Sequence, residues 1–284
     1  MSTLFVNRLT NIDFSYLDPN DGLVGESWLL DIQLAGSLNE EGMVLDFGLV
    51  KKRVREYVDT VIDHCLVVPS QYDGCKIENQ GDRLLIDFAM TSGESIHHAS
   101  VPSAVCLLAA DKVSIESVRQ NILDALSSVI PENVKELDIQ LYPQPGLDSF
   151  YRYSHGLRKH QGNCQRIAHG HRSDLKVFID DVQNEDWRKY WFERWEDIYI
   201  GTRHHVINES DERLNFEYLA QQGKFELSLP KSACYLINNE STVENIAQHL
   251  ADETAKLNPG KQVKIMAFEG IGKGAIASAH FSLE

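Results

Sequence analysis

Apolar positions in the first half of the chain follow the period of a strand in some segments and of a helix in others. Residues 47–62 carry apolar side chains at helical spacing, and a second helical pattern begins at Ser114 and runs to about Val129, before a proline. The order strand, strand, helix, strand, strand, helix, strand predicts an α+β fold, with an antiparallel four-stranded sheet and two helices on one face. The strand-like runs are 4–13, 27–35, 84–90, 104–109 and 134–142.

The second half of the chain repeats this pattern. Over 102–141, positions shifted by 128 residues match without gaps, and earlier positions match at a shift of 140. Matches of this kind indicate two fused copies of one domain, although two unrelated helix-and-strand units remain an alternative. We predict domains over 1–143 and 148–284, joined by the proline-containing linker 142–148. Matched pairs include Pro102 with Pro230, Cys106 with Cys234, Ser114 with Thr242, Pro131 with Pro259, and His64 with His204.

Composition and charge narrow the class of protein. The chain has 284 residues, enough for two domains of ordinary size, and a net charge of −15. So acidic a chain is poorly suited to bind nucleic acid or anionic membranes, because it lacks cations to replace the counterions of phosphates. No apolar run approaches the ~20 residues needed to span a bilayer, and no signal peptide is expected. Five scattered cysteines fit a reducing compartment and predict a cytoplasmic protein.

The most unusual segment lies in the second copy. His169 and His171 are two residues apart, so on a strand both imidazoles would point to the same face. His155 ends the preceding aromatic strand, and Cys164 lies between. Three neutral histidines with an open fourth position are a catalytic zinc arrangement. The alternative is a polar loop that happens to contain histidines.

The first copy lacks the corresponding groups. At the shift of 140, Ser15 takes the place of His155. In the stretch that corresponds to the His-x-His pair, 24–28, Val24 takes the place of His169 and Glu26 that of His171. These side chains do not form a zinc site. We therefore expect one zinc ion in each chain, not two.

Two further features differ between the copies. The first helix ends in Asp63-His64, in which a carboxylate can orient an imidazole and stabilise its charged form, whereas the second copy has Arg203 before its histidine. Glu269 ends the penultimate strand of the second copy, where the first has Leu141. A carboxylate there can hold a guanidine-like group through two hydrogen bonds, although an exposed strand-end glutamate is the simpler interpretation.

These residues together resemble the 6-pyruvoyltetrahydropterin synthase and 6-carboxytetrahydropterin synthase family, which has the tunnelling fold (T-fold). The motifs are divided between the copies, and the resemblance covers nearly the whole chain. The first copy carries Gly-Met-Val-Leu-Asp-Phe at 42–47 and Asp-His at 63–64. The second carries His155, Cys164, His169-Gly170-His171, Thr-Val-Glu-Asn at 242–245, and Glu269.

The resemblance implies one composite site per chain, because each copy has lost a different part. Zinc on His155, His169 and His171 would stand beside Cys164 as base. Asp63 and His64 would complete the proton relay. Glu269, with Thr242, would bind the pterin.

The implied activity is that of a zinc-dependent lyase acting on 7,8-dihydroneopterin triphosphate. Triphosphate loss gives a pyruvoyl product, and carbon–carbon cleavage gives the carboxy product of queuosine biosynthesis. The family's distribution favours the second. Candidates to bind the triphosphate are the side chains of residues 158–160, Arg-Lys-His.

Two other functions fit the same motifs. A non-catalytic pterin- or metal-binding protein would keep the fold and the zinc but have no use for Cys164. A cyclohydrolase would share the sheet and the zinc, and the lack of a second cysteine near His169 argues mildly against it. Since family members close their sheets through neighbouring subunits, the resemblance also implies a homo-oligomer.

Overall fold

The computed structural model describes residues 1–127 and 131–282. The predicted helix end at Val129 lies outside these residues. Among the described residues, no helix is long and apolar enough to cross a membrane. The elements of the first half are β1 Ser2–Asp18, β2 Gly22–Gly36, α1 Phe47–Val61, β3 Leu66–Pro69, β4 Cys75–Asn79, β5 Leu84–Ala89, β6 Ser95–Ser100, β7 Val105–Leu108, α2 Ile115–Ser127 and β8 Val134–Pro143.

The second half follows the same order with additional short strands. Its elements are β9 Tyr151–His155, β10 His169–Ser173, β11 Leu175–Ile179, β12 Val182–Gln183, α3 Glu185–Arg194, β13 Ile198–Thr202, β14 Val206–Glu209, β15 Arg213–Ala220, β16 Gly223–Pro230, β17 Cys234–Ile237, α4 Val243–Lys256, β18 Gln262–Phe268 and β19 Gly274–His280.

The first predicted helix forms where the apolar spacing placed it. Asp46 caps α1, because its Oδ1 accepts a hydrogen bond of 3.0 Å from the backbone N–H of Leu49. Val50, Val54 and Val58 recur every four residues and are buried against the sheet. The helix of the second half, α3, is capped by Asn184 and has 10 residues against the 15 of α1. This difference of five residues displaces the correspondence between the halves directly after the helix.

Each half has a sheet with both of its helices on one face, as predicted for two tandem α+β domains. Helices α1 and α2 contribute to one apolar core, and α3 and α4 to a second. The sheet of the first half has five strands instead of the predicted four, whereas the second half has two four-stranded sheets. In the first half the order is β7-β3-β1-β2-β8, and β3 lies parallel to both β1 and β7. The parallel pairs arise because a helix or a long excursion connects these strands.

A six-stranded sheet is shared by the two halves. Strands β4, β5 and β6 of the first half meet β14, β15 and β16 of the second, in the order β14-β15-β16-β6-β5-β4. The joining ladder is antiparallel and pairs His98 of β6 with Leu227 of β16. A third apolar core behind this sheet takes residues from both halves. Of the three first-half strands, the sequence pattern predicted only β5.

The hairpins β1–β2 and β9–β10 cross at backbone contact. A Cβ atom on Gly25 would lie 2.0 Å from the carbonyl oxygen of Tyr153, and one on Gly170 would lie 2.6 Å from the Cα of Gly25. Only glycine fits at both positions. Beside the crossing, the hydroxyls of Ser15 and Ser154 hydrogen-bond at 2.7 Å. The two halves are therefore held in one register at this point.

We predict that His98 makes the protein less stable in acid. It is fully buried, and burial, with the charges of His97 and Arg83, lowers its pKa from about 6.5 to about 3, against the opposing effect of Glu226. Between these values the unfolded chain binds a proton that the folded chain does not, so stability falls as the pH falls below about 6.5.

Replacing the imidazole in His98→Leu should reduce the difference in unfolding free energy between pH 7.5 and pH 5 by about 2 kcal/mol. Urea unfolding with a metal chelator present measures this difference without a contribution from metal release. His97→Gln is the control next in the chain: it should keep most of the pH dependence, because burial is the largest cause of the lowered pKa of His98. An unchanged pH dependence in His98→Leu would contradict the interpretation.

We also predict that the chain forms a homo-oligomer. Strands β8 and β19 are the outermost strands of their sheets within one chain, and Ile276 of β19 is 66% exposed. Exposed strand edges are pairing sites that soluble proteins cover. Light scattering at micromolar concentration should give a mass of at least two chains, and a strictly monomeric species would refute the prediction.

Candidate active site

Strands β9 and β10 bring three histidines together. His155 ends β9 directly opposite His169 in the ladder, and His171 lies two residues farther along β10. All three are buried, and one ligand nitrogen from each lies within 4.8 Å of the others. The expected alternation on a strand therefore does place these side chains on one face. We call these three residues the metal cluster.

The Nδ1 atoms of the metal cluster face acceptors. His155 donates to the carbonyl of Ser241 at 2.8 Å, and His169 donates to the carbonyl of Arg166 at 3.0 Å. The Nδ1 of His171 lies 3.4 Å from Oδ1 of Asp13. The contacts of His155 and His169 place their protons on Nδ1 and leave each Nε2 with a lone pair. The Nδ1 of His171 faces Asp13 but makes no hydrogen bond in the described structure.

The three Nε2 atoms are buried and have no hydrogen-bond partner in the described structure. Buried polar atoms are nearly always satisfied, so three orphaned nitrogens at one point require an explanation. Burial, followed by the neighbouring imidazoles, lowers the pKa of His155 and His169 well below the usual range, so both are neutral. Neutral imidazole is the form that binds transition metals, and these residues fit a divalent metal ion such as zinc.

Cys164 and His64 lie beside the metal cluster. Cys164 is in a 3-10 turn, Asn163–Gln165, within the loop between β9 and β10. His64 follows α1 in the first half, and its ring centroid is 5.0 Å from that of His169. A ligand atom from each of His64, Cys164 and His169 lies within 4.8 Å of the others. The two halves of one chain therefore bring the thiol and the imidazole together.

Asp63 orients the imidazole of His64. Its Oδ2 lies 2.5 Å from Nδ1 of His64, and His64 has a left-handed backbone with φ of 55°. Burial alone would lower the pKa of His64, but hydrogen bonds to Asp63 and Cys164 raise it to about 10. The imidazole is thus held in its charged form between a carboxylate and a thiol, which is an arrangement able to pass a proton.

Glu269 is linked through Lys273 to Asp13, the residue that faces His171. It follows the end of β18, and its Oε2 lies 4.0 Å from Nζ of Lys273, which in turn lies 3.3 Å from Oδ2 of Asp13. Thr242 is the N-cap of α4, and its hydroxyl accepts a hydrogen bond of 3.4 Å from the backbone N–H of Asn245. The residue before Thr242 supplies the carbonyl that holds His155.

Sequence reasoning missed three residues around the site. Asp13 is buried beside His171, and Lys273 bridges Asp13 and Glu269. Arg166 is buried and donates from Nη1 to the sulfur of Cys65 at 2.9 Å. It therefore connects the loop that carries Cys164 to the segment that follows Asp63 and His64. The proposed triphosphate cations, residues 158–160, are exposed in the loop after β9.

The strand register revises the expected correspondence between the halves. Ser15 pairs with Gly25 as Ser154 pairs with Gly170, so the counterpart of His155 is Tyr16 and not Ser15. The counterparts of the other two histidines are Val24 and Glu26, as expected. We call Tyr16, Val24 and Glu26 the twin position.

The expected counterparts of His64 and Glu269 are also wrong. His64 aligns with Asp197, because both have a left-handed backbone before a strand that lies parallel to β1 or β9. Arg203 and His204 instead form a turn after β13, where His204 is exposed. The shorter helix α3 accounts for five of the seven residues that separate Asp197 from His204. Continuing the β11–β18 register aligns Glu269 with Pro143 instead of Leu141.

Comparison with models of known protein families identifies the family of this chain. The model described as 6-pyruvoyl tetrahydropterin synthase matches twice, over residues 15–151 and 146–276. The chain belongs to this family. It contains two fused family domains of the T-fold, and the family match agrees with the side chains that are able to hold a metal.

Similar solved structures belong to the same family. The chain is 18% identical to 6-pyruvoyl tetrahydropterin synthase of Plasmodium falciparum, with a TM-score of 0.42, covering 51% of this chain and 92% of the other. It is 19% identical to the Plasmodium vivax enzyme, with a TM-score of 0.43, covering 51% and 93%. A catalytic-residue mutant of the P. vivax enzyme gives the same values. No curated protein matches the sequence significantly.

We predict that the purified protein holds about one zinc ion per chain, because only the metal cluster offers three convergent Nε2 atoms among the described residues. Elemental analysis should show loss of this metal in His169→Ala. Glu26→Gln, at the twin position, should retain it. Two tightly held metal ions per chain would contradict the prediction.

Proposed function

We propose that the protein is a zinc-dependent pterin synthase acting on 7,8-dihydroneopterin triphosphate, similar to 6-carboxytetrahydropterin synthase. The observation that carries this proposal is the adjacency of three orphaned imidazole nitrogens to a thiol–imidazole–carboxylate series. The first group suits a metal, and the second suits proton transfer to and from carbon. Family membership supports a pterin-synthase-like lyase.

Each group has a distinct task in the proposed reaction. His155, His169 and His171 would hold the zinc, which supplies Lewis-acid polarisation of the substrate's side-chain hydroxyls when bound. Cys164, as thiolate, would remove a proton from the substrate side chain. The charged imidazole of His64, held by Asp63, would stabilise that thiolate and return a proton to the product.

Recognition of the pterin would rest on the second half. Glu269 would accept two hydrogen bonds from the guanidine-like edge of the pterin ring, which is the geometry that carboxylates favour for planar donors. Burial alone would lower the pKa of Lys273, but Asp13 and Glu269 raise it, so its charge persists beside Glu269. Thr242, at the start of α4, would also bind the pterin.

Two other functions remain as competing proposals. A pterin- or metal-binding protein without turnover would not need Cys164 next to His64. A cyclohydrolase would use the zinc to open a purine ring. Product analysis separates these from a synthase. We further propose a cytoplasmic location and small-molecule substrates, without nucleic-acid or membrane partners.

We predict that His64→Ala and Cys164→Ala each abolish the same step. Each should lower turnover of 7,8-dihydroneopterin triphosphate by about 100-fold or more, and the double variant should lose little beyond either single variant. Mass spectrometry of the products measures turnover and distinguishes the carboxy from the pyruvoyl product. Both variants should retain zinc, because neither residue belongs to the metal cluster.

The matched control is His204→Ala. His204 is exposed on the turn after β13 and should be dispensable. A fully active His64→Ala protein would refute the proposed relay, and an inactive His204→Ala protein would mean that a required imidazole lies in the second half. Wild-type zinc protein that binds the pterin without forming product would favour the non-catalytic function.

A further inference from the structure

One buried carboxylate of the first half lies between the metal cluster and the proton relay. Oδ1 of Asp13 lies 3.4 Å from Nδ1 of His171, and Oδ2 lies 3.3 Å from Nζ of Lys273. The backbone of Asp13 donates to Oδ1 of Asp63 at 2.8 Å and accepts from the N–H of His64 at 2.7 Å. The side chain and the backbone of one residue thus reach both the metal cluster and the proton relay.

The carboxylate is itself held in place. The hydroxyl of Ser27 donates to Oδ1 of Asp13 at 2.5 Å and accepts a hydrogen bond of 3.1 Å from the backbone of Arg172. Gly270 packs close to the same oxygen: a side chain at this position would place its Cβ atom 2.4 Å from Oδ1 of Asp13. Both halves therefore confine Asp13 to a single orientation.

The structural counterpart of Asp13 carries the opposite charge. The register that aligns Ser15 with Ser154 aligns Asp13 with Arg152. Arg152 donates to Oδ2 of Asp197, the counterpart of His64, at 2.7 Å. Beside it, Arg172 approaches Glu26 of the twin position to 3.9 Å. The place of a metal and a relay is thus taken by an arginine–carboxylate network.

We propose that Asp13 is a positioning residue that the first half supplies to the metal ligand His171 of the second. A carboxylate facing Nδ1 holds the N–H there, turns Nε2 towards the metal and makes the imidazole a better ligand. Arg152, at the equivalent place, offers an imidazole no acceptor and would repel a cation. This inference rests on the metal centre of the proposed function and does not depend on the pterin chemistry.

Metal affinity tests the inference without using activity. Asp13→Asn keeps the size of the side chain and removes its charge. In competition with a chromogenic chelator, it should bind zinc about 10- to 100-fold more weakly than the wild-type protein, the usual cost of losing such a partner. The visible spectrum of the cobalt-substituted protein should change as well, because His171 would no longer be held in one orientation.

Arg152→Gln is the matched control at the equivalent position of the second half. It should lower the melting temperature of the metal-free protein and leave zinc affinity within about twofold of the wild type. Ser27→Ala provides a second variant that keeps the carboxylate but removes the hydroxyl that orients it. It should weaken zinc binding in the same direction by a smaller factor.

The outcomes separate this inference from the proposed function. Wild-type zinc affinity in both Asp13→Asn and Ser27→Ala would overturn it, and so would equal weakening in Arg152→Gln, which would indicate a general loss of stability. Weakened zinc binding in a protein that does not convert dihydroneopterin triphosphate would support the role of Asp13 and refute only the pterin synthase. A wild-type protein that binds no divalent metal would overturn both.

Discussion

The crossing of two hairpins at backbone contact determines the rest of this molecule. Gly25 and Gly170 leave no room for a side chain, and the paired hydroxyls of Ser15 and Ser154 fix the register beside them. Because the two hairpins meet there without a layer of side chains between them, a residue on one hairpin reaches functional groups on the other. Asp13 lies two residues from this contact and is placed against His171 in that way.

Fusion of two copies allows the two sides of such a crossing to differ. In the second half, the loop 156–168 between β9 and β10 carries Cys164, whereas only the turn 19–21 connects β1 to β2. One side retains three imidazoles with orphaned nitrogens. The other has replaced the histidines, and Arg152 pairs with Asp197. The partly buried guanidinium of Arg152 has its charge balanced by the Asp197 carboxylate, so this side holds together without a metal ion.

The sequence predicted the features that depend on local periodicity and missed those that depend on tertiary contact. The period of two on a strand was enough to group His169 with His171, and the helical spacing placed α1. A constant shift between the copies was wrong for His64 and Ser15, because a shorter helix and a longer loop change the alignment. Asp13 and Arg166 act across the crossing of the halves, which no pattern along the chain reveals. Strands β4 and β6 were missed because their sequences, Cys-Lys-Ile-Glu-Asn and Ser-Ile-His-His-Ala-Ser, carry few apolar positions.

Co-expression of two inactive variants decides whether one site is built within one chain. In the structure, His64 and Cys164 of the same chain lie side by side. Mixed oligomers of differently tagged His64→Ala and Cys164→Ala chains should therefore remain as inactive as either variant alone. Mixed oligomers of wild-type and variant chains, as the control, should retain activity in proportion to their wild-type content. Recovery of activity in the mixture of the two variants would show that the thiol and the imidazole come from different chains, and would contradict the composite site described above.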